Sequence, residues 1–314
     1  MADQQCIRFN RCRSISTVTL IDPMTGQSLQ RFVENDTNDP LVAALSADGK
    51  WVLSGGVPNA GAKLWDAATA QFARTFEHAG RVTAVAFSRD GSRILFGASD
   101  GTLAYAETLT GTLLRSFPAH SGKVTFAALS PDGTHALSGT QNGNLVLWDI
   151  STGKRLRVFA QLPGAIRSAA FSPDGARVAA AAPDRTAKLW DVASGKLERA
   201  IAHRRHVLSV AFSADGKHLL TGSEDAAARM WRVDTGELAV TWLVAGERWI
   251  AVTPEGFYDA SPKGLDLMTF VSAGWVIPMD RAAKLLHRPD LLAQKIAGDP
   301  DGQVKSAAAA MSFD

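Results

Sequence analysis

This sequence has few cysteines and almost no net charge. Only Cys6 and Cys12 occur among the 314 residues, too few to frame a disulfide-stabilised fold of this size or a four-ligand zinc site. The 33 basic and 31 acidic residues leave a formal net charge of +2, which provides no general attraction to nucleic acid. We therefore expect two free thiols in a reducing compartment and no nucleic-acid partner.

Long apolar runs are also absent. No segment reaches the roughly 18 consecutive apolar residues that a membrane-spanning helix needs, and MADQQCIRFNRCRS at the amino terminus lacks the apolar region of a signal peptide. The sequence thus predicts a cytoplasmic protein without a membrane partner. With 46% hydrophobic and 20% charged residues, its composition is that of a globular chain that can bury a large core.

A repeat runs through most of the chain. The turn phrase SADG at 46–49 returns as SRDG, SPDG, SPDG and SADG, with glycines at 49, 91, 133, 175 and 216, spaced by 42, 42, 42 and 41 residues. Tryptophan keeps the same period at 65, 148, 190 and 231, whereas Ala106 stands where the second tryptophan would fall. A fixed period of this length indicates a repeat architecture.

Each repeat contains segments typical of short strands. Nearly continuous apolar runs such as VTAVAFS (82–88) suit strands that are covered on both faces. A turn with glycine follows, then a second run such as HALSGT (135–140), a hairpin, and a strand that in three of the repeats ends in Trp-Asp. We therefore predict that each repeat forms four antiparallel strands, as in a propeller blade.

These motifs resemble the WD-repeat β-propellers, whose blades have a Gly-His near the start, an Asp-Gly turn and a Trp-Asp at the end of the third strand. The resemblance covers about residues 38–242 in five repeats. It implies an all-β fold, a propeller of four-stranded antiparallel sheets over residues 1–275. Six blades are predicted, the sixth built from 14–32 and 243–275 at the two chain ends, and seven blades are the alternative.

A short helical tail is expected over residues 276–314. Its predicted helices are MDRAAKLLH (279–287) and PDLLAQKIA (289–297), the second with Pro289 in its first turn and Gly298 just past its end. The region around these helices, with WIAVTPEGFYDASPKG before them, resembles the segment that links bacterial propellers to caspase-like peptidase domains.

The WD-repeat resemblance also implies a hydrogen-bonded tetrad of tryptophan, a Ser or Thr, a histidine and an aspartate. An indole N–H can only donate, so its burial calls for a hydroxyl acceptor. Leu162 and Ala180 replace the histidine and serine in the fourth repeat. The matching residues are His203, Thr221, Asp225 and Trp231 in the fifth repeat, and His120, Ser138, Asn142 and Trp148 in the third.

Two short motifs suggest chemistry, but their position in the repeat argues against it. GASDG (97–101) fits the pattern of a nucleophile elbow, yet it falls on a predicted hairpin with no helix after it. His203 and His206 have the H-x-x-H spacing of metal ligands, but no third ligand cluster accompanies them. We predict no catalytic residue, no metal and no cofactor, and an enzyme with a site in the central channel is the weakest alternative.

In WD-repeat propellers, the loops before the first strands and the hairpins after the second strands line the top face. Basic residues here would favour an acidic peptide or a phosphate-bearing partner. The open alternative is a solvated rim that nearby acids such as Asp184 balance. The candidate residues are Arg81, Lys123, Arg167, Arg204, Arg205, His206 and Glu224.

The leading functional prediction is a monomeric, non-catalytic scaffold that presents its loops to protein or peptide partners. The alternative is a regulatory or sensor module of a caspase-like hydrolase system, which the resemblance of the tail suggests. A propeller fold supports many functions and does not by itself decide between these two.

Overall fold

The computed structural model describes residues 3–7, 11–22, 25, 27–35, 42–118, 120–267, 271–272, 275–276 and 286–310. The chain divides into two compact units, one of Met1–Asp184 with Leu189–Glu198 and the other of Arg185–Lys188 with Arg199–Asp314. Within the described part, no helix is both long and apolar enough to cross a membrane.

Antiparallel sheets follow one another along the chain. The amino-terminal sheet has three strands, β1 (Asp3–Ile7), β2 (Arg11–Ile21) and β3 (Ser28–Asn35). Four sheets of four strands come next. They are β4 (Val42–Leu45), β5 (Trp51–Gly55), β6 (Ala62–Asp66) and β7 (Phe72–Phe76) in the first sheet; β8 (Val82–Phe87), β9 (Arg93–Ala98), β10 (Leu103–Glu107) and β11 (Leu113–Phe117) in the second; β12 (Val124–Leu129), β13 (His135–Thr140), β14 (Asn144–Asp149) and β15 (Arg155–Gln161) in the third; and β16 (Ala169–Phe171), β17 (Arg177–Ala182), β18 (Thr186–Asp191) and β19 (Leu197–Ala202) in the fourth.

A fifth sheet belongs to the second unit and has six strands in sequence order. Its hairpins and those of the other sheets confirm the predicted all-β class and the antiparallel four-stranded repeat. The number of blades and the closure of a ring stay predictions. The strands of the fifth sheet are β20 (Val207–Phe212), β21 (His218–Ser223), β22 (Ala227–Arg232), β23 (Leu238–Ala245), β24 (Arg248–Val252) and β25 (Tyr258–Ala260).

The position of β24 differs from the expected one. The repeat pattern predicts that this segment is the first strand of a closing blade. In the structure, β24 pairs with β23 from Ala245↔Arg248 to Thr241↔Val252. The reason is the two-residue loop between them, in which Gly246 has φ 62° and so suits a tight hairpin turn. Strand β24 therefore belongs to the fifth sheet. A sheet assembled from both chain ends remains a prediction.

The carboxyl-terminal region packs against β23, β24 and β25. A 3-10 helix (Gly264–Leu267), the short strands β26 (Val271–Ser272) and β27 (Trp275–Val276), α1 (Pro289–Ile296) and α2 (Gln303–Ala310) follow one another. Tyr258, Leu291 and Val304 are buried in one cluster, and Lys295 Nζ lies 2.5 Å from Glu255 Oε1.

The predicted tail helices have different outcomes. The predicted helix over 289–297 is present as α1, whereas most of 279–287 lies outside the described residues. Helix α2 was not expected, although its four consecutive alanines favour a helix. Asp299 accepts hydrogen bonds from the backbone N–H groups of Val304 (2.9 Å) and Lys305 (3.2 Å) at the start of α2.

The repeated S-x-D-G phrase closes the hairpin between the first and second strands. In the second sheet, Asp90 accepts hydrogen bonds from the Ser88 hydroxyl, from the Ser92 hydroxyl (2.7 Å) and from the Ser92 backbone N–H (3.1 Å). These bonds, that from Ser88 first, lower the pKa of Asp90 to about 2. The same Ser–Asp hydrogen bond occurs at Asp48, Asp132, Asp174 and Asp215.

The aspartate of the Trp-Asp pair closes the next hairpin. Asp149 Oδ1 accepts hydrogen bonds from the Ser151 hydroxyl (2.6 Å), the Thr152 backbone N–H (2.7 Å) and the Thr152 hydroxyl (2.9 Å). These bonds lower the pKa of Asp149 to about 2. Asp149 is therefore a turn residue that fixes the connection from β14 to β15.

Neighbouring sheets are in close contact where the first strand of one, or the loop just before it, meets the second strand of the sheet before. A Cβ atom on Gly139 would lie 2.6 Å from Ile166 Cγ2, and a Cβ atom on Gly55 would lie 2.7 Å from Val82 Cγ1. The Thr125 hydroxyl also donates to the Ile166 carbonyl at 2.6 Å. Glycine is required here by space, since a methyl group would overlap the next sheet.

We expect Gly139→Ala to lower the free energy of unfolding by about 1–3 kcal/mol, because the new methyl group overlaps Ile166. Urea unfolding of Gly139→Ala, Ile166→Ala and the double variant measures the coupling. The double variant should lose less stability than the sum of the two single variants. Strict additivity would show that this overlap does not exist.

The depressed pKa of Asp90 predicts an acid-dependent contribution to stability. A carboxyl group whose pKa is lowered on folding stabilises the protein above its unfolded pKa and loses this effect as pH falls through the folded value, here between about 4 and 2. Asp90→Asn should therefore be less stable than wild type at pH 7, and the difference should shrink as pH approaches 2.

Urea unfolding at a series of pH values measures this difference. Asp301→Asn is the matched control, because Asp301 is exposed and accepts no hydrogen bond in the described part of the chain. A difference between wild type and Asp90→Asn that stays constant from pH 7 to pH 2 would contradict the role of the ionised carboxylate.

Candidate functional site

A chain of hydrogen bonds holds the tryptophan of the third sheet. Trp148 Nε1 donates to Ser138 Oγ at 2.7 Å, and Ser138 Oγ lies 2.8 Å from His120 Nε2. Trp148 is 3% exposed, and its ring packs edge-on against Phe117 with centroids 5.6 Å apart. The donor-only indole is thus buried between the second and third sheets with its N–H satisfied.

The environment of His120 keeps its ring neutral. Burial, and after it the positive charge of Arg155, lowers the pKa of His120 to about 4. Asn142, the fourth residue of the expected tetrad, donates instead to the Ser121 backbone carbonyl at 3.3 Å. Trp148, Ser138 and His120 are therefore linked by hydrogen bonds, whereas Asn142 binds the loop at Ser121.

The fifth sheet repeats this arrangement. Trp231 Nε1 donates to Thr221 Oγ1 at 2.9 Å, which lies 2.8 Å from His203 Nε2. Asp225 does not complete the set, because its two oxygens bind the Arg229 guanidinium at 2.7 and 3.1 Å. Two parallel charge-assisted bonds make arginine a stronger partner for a carboxylate than a neutral histidine. The expectation from the sequence did not include Arg229 as a partner of Asp225.

The remaining sheets depart from the pattern in two ways. Trp65 of the first sheet donates to Ser54 Oγ at 2.8 Å, an acceptor that the sequence analysis did not identify. The second sheet has no tryptophan, and His78 Nε2 lies 2.7 Å from Thr102 Oγ1 instead. The Ser/Thr position of the repeat is Phe96 in this sheet, so Thr102 is a hydroxyl from a different position that contacts the histidine where the indole is missing.

A second set of contacts, missed in the sequence, links the outermost strand of one sheet to the next sheet. Arg157 of β15 donates to the backbone carbonyls of Ser194 (2.7 Å) and Ala193 (2.8 Å). The donor always lies nine residues after the tryptophan position. Equivalent bonds run from Gln30 to Ala68, from Arg115 to Ser151 and from Arg199 to Val233 and Asp234.

The expected basic residues lie in two groups. Arg81 and Lys123 precede the first strands of neighbouring sheets, and their carbonyls accept from Ser99 (2.8 Å) and Gln141 (2.9 Å) in the hairpin after each second strand. Arg167 is exposed in the loop before β16. In the second unit, Arg204, Arg205, His206 and Glu224 are exposed around the start of β20 and the end of β21.

The GASDG motif and the pair of His203 and His206 both lie at positions that belong to the repeated fold. Ser99 of GASDG lies in the hairpin between β9 and β10, which lacks the strand–turn–helix context of a nucleophile elbow. His203 belongs to the hydrogen-bonded chain of the fifth sheet. In the described part of the chain, no group of three or more His, Cys, Asp or Glu side chains could hold a metal ion.

Comparison with known families agrees with this geometry. A family model described as WD domain, G-beta repeat matches residues 70–104, 111–149, 153–191 and 195–232. No curated protein matches the sequence. The stretch 111–149 contains β11 to β14, so it supplies the last strand of one sheet and the first three of the next.

Removal of an outer-strand donor should weaken the contact between sheets. We expect Arg157→Met to lower the free energy of unfolding by about 1 kcal/mol, since two hydrogen bonds to backbone carbonyls are lost. Thermal unfolding measures the change, with Lys154→Met, an exposed cation in the preceding turn, as control. Equal melting temperatures of wild type and Arg157→Met would contradict a stabilising contact.

Proposed function

Since the chain belongs to the WD-repeat family, we propose that it is a non-catalytic scaffold that binds partner proteins through the loops of its repeats. The observation that carries this proposal is the equivalence of the loops in neighbouring sheets. In the second and third sheets, the residue before the first strand is held by the hairpin after the second strand, as Ser99 N–H and Gln141 N–H bind the carbonyls of Arg81 and Lys123. Rigid strands thus present a row of loop side chains at the same end.

The partner surface that we propose consists of Arg81, Lys123 and Arg167 in the first unit. Lys123 and Arg167 form no ion pair in the described part of the chain. Arg167 is exposed, and Lys123 is half-buried. A guanidinium and an ammonium group that form no ion pair, as at Arg167 and Lys123, favour carboxylate- or phosphate-bearing partners through charge-assisted hydrogen bonds.

The neighbouring loops in these sheets are also bonded to each other. Thr125 of β12 donates to the Ile166 carbonyl at 2.6 Å, one residue before Arg167, and Thr83 of β8 donates to the Val124 carbonyl, one residue after Lys123. These bonds fix the spacing of the three cationic positions before a partner binds. A preorganised surface loses less conformational entropy on binding.

Charge reversal tests the partner surface. A variant with Arg81, Lys123 and Arg167 changed to Glu should retain at least about tenfold less of a specific acidic partner in a quantitative pull-down from native lysate. The loss should appear with unchanged circular dichroism. Binding to wild type should also weaken as salt rises, because ions screen exposed charges.

The matched control changes Arg89, Lys154 and Lys196 to Glu. These exposed cations lie in turns at the opposite ends of strands in the same sheets, so the control makes the same change in net charge. Equal loss of partners in both variants would contradict a specific surface. Recovery of a caspase-like hydrolase as the specific partner would favour the regulatory role over that of a general scaffold.

A further inference from the structure

A cavity of about 540 Å³ opens beside Trp148 in the first unit, within the size range of small-ligand sites. Asn144, Val146 and Trp148 line it from β14, where alternate residues share one face of the strand. On β15, Val158 is the cross-strand partner of Val146, and Arg155 is that of Trp148. We call this cavity the Trp148 pocket.

The fifth sheet has charged residues at the corresponding positions. Six and two residues before its tryptophan stand Asp225 and Arg229, which form an ion pair with Nη2 and Oδ2 2.7 Å apart. The third sheet has Asn142 and Val146 at these positions. Both the carboxylate and the guanidinium are therefore replaced by smaller or uncharged groups.

A cation nevertheless remains beside this space in the third sheet. Arg155 lines the Trp148 pocket, and it forms no ion pair with any residue that the structure describes. The corresponding residue of the fifth sheet is Leu238. A guanidinium at the edge of a partly apolar cavity, without a carboxylate of its own, is suited to bind one from a ligand.

His120 supplies a second donor in the wall of the pocket. When the Ser138 hydroxyl, which accepts from Trp148, donates to His120 Nε2, the proton of this neutral ring lies on Nδ1. Among the described residues, His120 Nδ1 has no hydrogen-bond partner, whereas His203 Nδ1 lies 3.1 Å from the Ile201 carbonyl. This N–H group also favours an acceptor such as a carboxylate.

We propose that the Trp148 pocket binds the carboxylate of a small apolar molecule or of a peptide carboxyl terminus. Arg155 pairs with the carboxylate, while Val146, Val158 and Pro118 contact the apolar group. These residues are separate from Arg81, Lys123 and Arg167, so the proposal stands independently of the partner surface described above.

Titration calorimetry with defined acids tests the site. The probes are 3-phenylpropionate and N-acetyl-leucyl-leucine, each compared with its primary amide. The acids should bind at least about tenfold more tightly than the amides, because only a carboxylate pairs with the guanidinium. Binding of the peptide acid would identify a chain terminus as a ligand source, and binding of phenylpropionate alone a small molecule.

Two variants locate the binding. Arg155→Met should weaken binding of the acid about tenfold or more, while Lys154→Met, which changes an exposed cation outside the pocket, should change it by less than about twofold. The double variant Asn142→Asp with Val146→Arg copies the ion pair of the fifth sheet. It should fill the pocket and abolish binding.

The failure of any one of these comparisons would overturn the proposal. Equal affinity for acid and amide would exclude carboxylate recognition, and unchanged binding by Arg155→Met would exclude the guanidinium. Full binding by the correctly folded double variant would show that the ligand binds outside the Trp148 pocket. If neither acid binds wild type, the pocket is not a carboxylate site. If the double variant does not fold, the comparison of Arg155→Met with Lys154→Met still decides.

Discussion

Close contact between the segment that begins one sheet and the second strand of the sheet before it is the constraint on which the repeated structure depends. Val82 lies over Gly55 and Ile166 over Gly139 with no room for a Cβ atom on the glycine. This contact fixes how near the sheets come to each other. Farther along, the gap is wide enough for Trp148 and Phe117, and at the outermost strands Arg157 reaches across it to backbone carbonyls.

Much of this arrangement could be predicted from the sequence, because it is carried by local and periodic signals. The S-x-D-G phrase specifies a turn through the hydrogen bonds of Asp90 with Ser88 and Ser92, and the spacing of tryptophans predicts the third strand. The acceptor of Trp148 was identified because it occupies a fixed position in the repeat. Such features need only neighbours in the chain or in the same sheet.

The features that the sequence did not predict depend on which of two hydrogen-bond partners a side chain takes, or on the geometry of one short turn. Asp225 occupies the position expected for a tetrad residue, but Arg229 offers it two charge-assisted bonds. Gly246 allows a hairpin that places β24 beside β23, although the sequence around β24 resembles the start of a new repeat. The arginines nine residues after the tryptophan positions, such as Arg157 and Arg199, are visible in the sequence, but their role depends on the distance between sheets, which the period alone does not give.

The offset between the sequence repeat and the sheet has a consequence for how such a chain can change in length. The matched stretch 111–149 contributes its first strand to the second sheet and its other three to the third. Duplication or loss of one period therefore yields complete sheets wherever the duplicated window begins, since a strand from one copy completes the sheet of its neighbour. Gene rearrangement within such a repeat need not respect the borders of a folded unit.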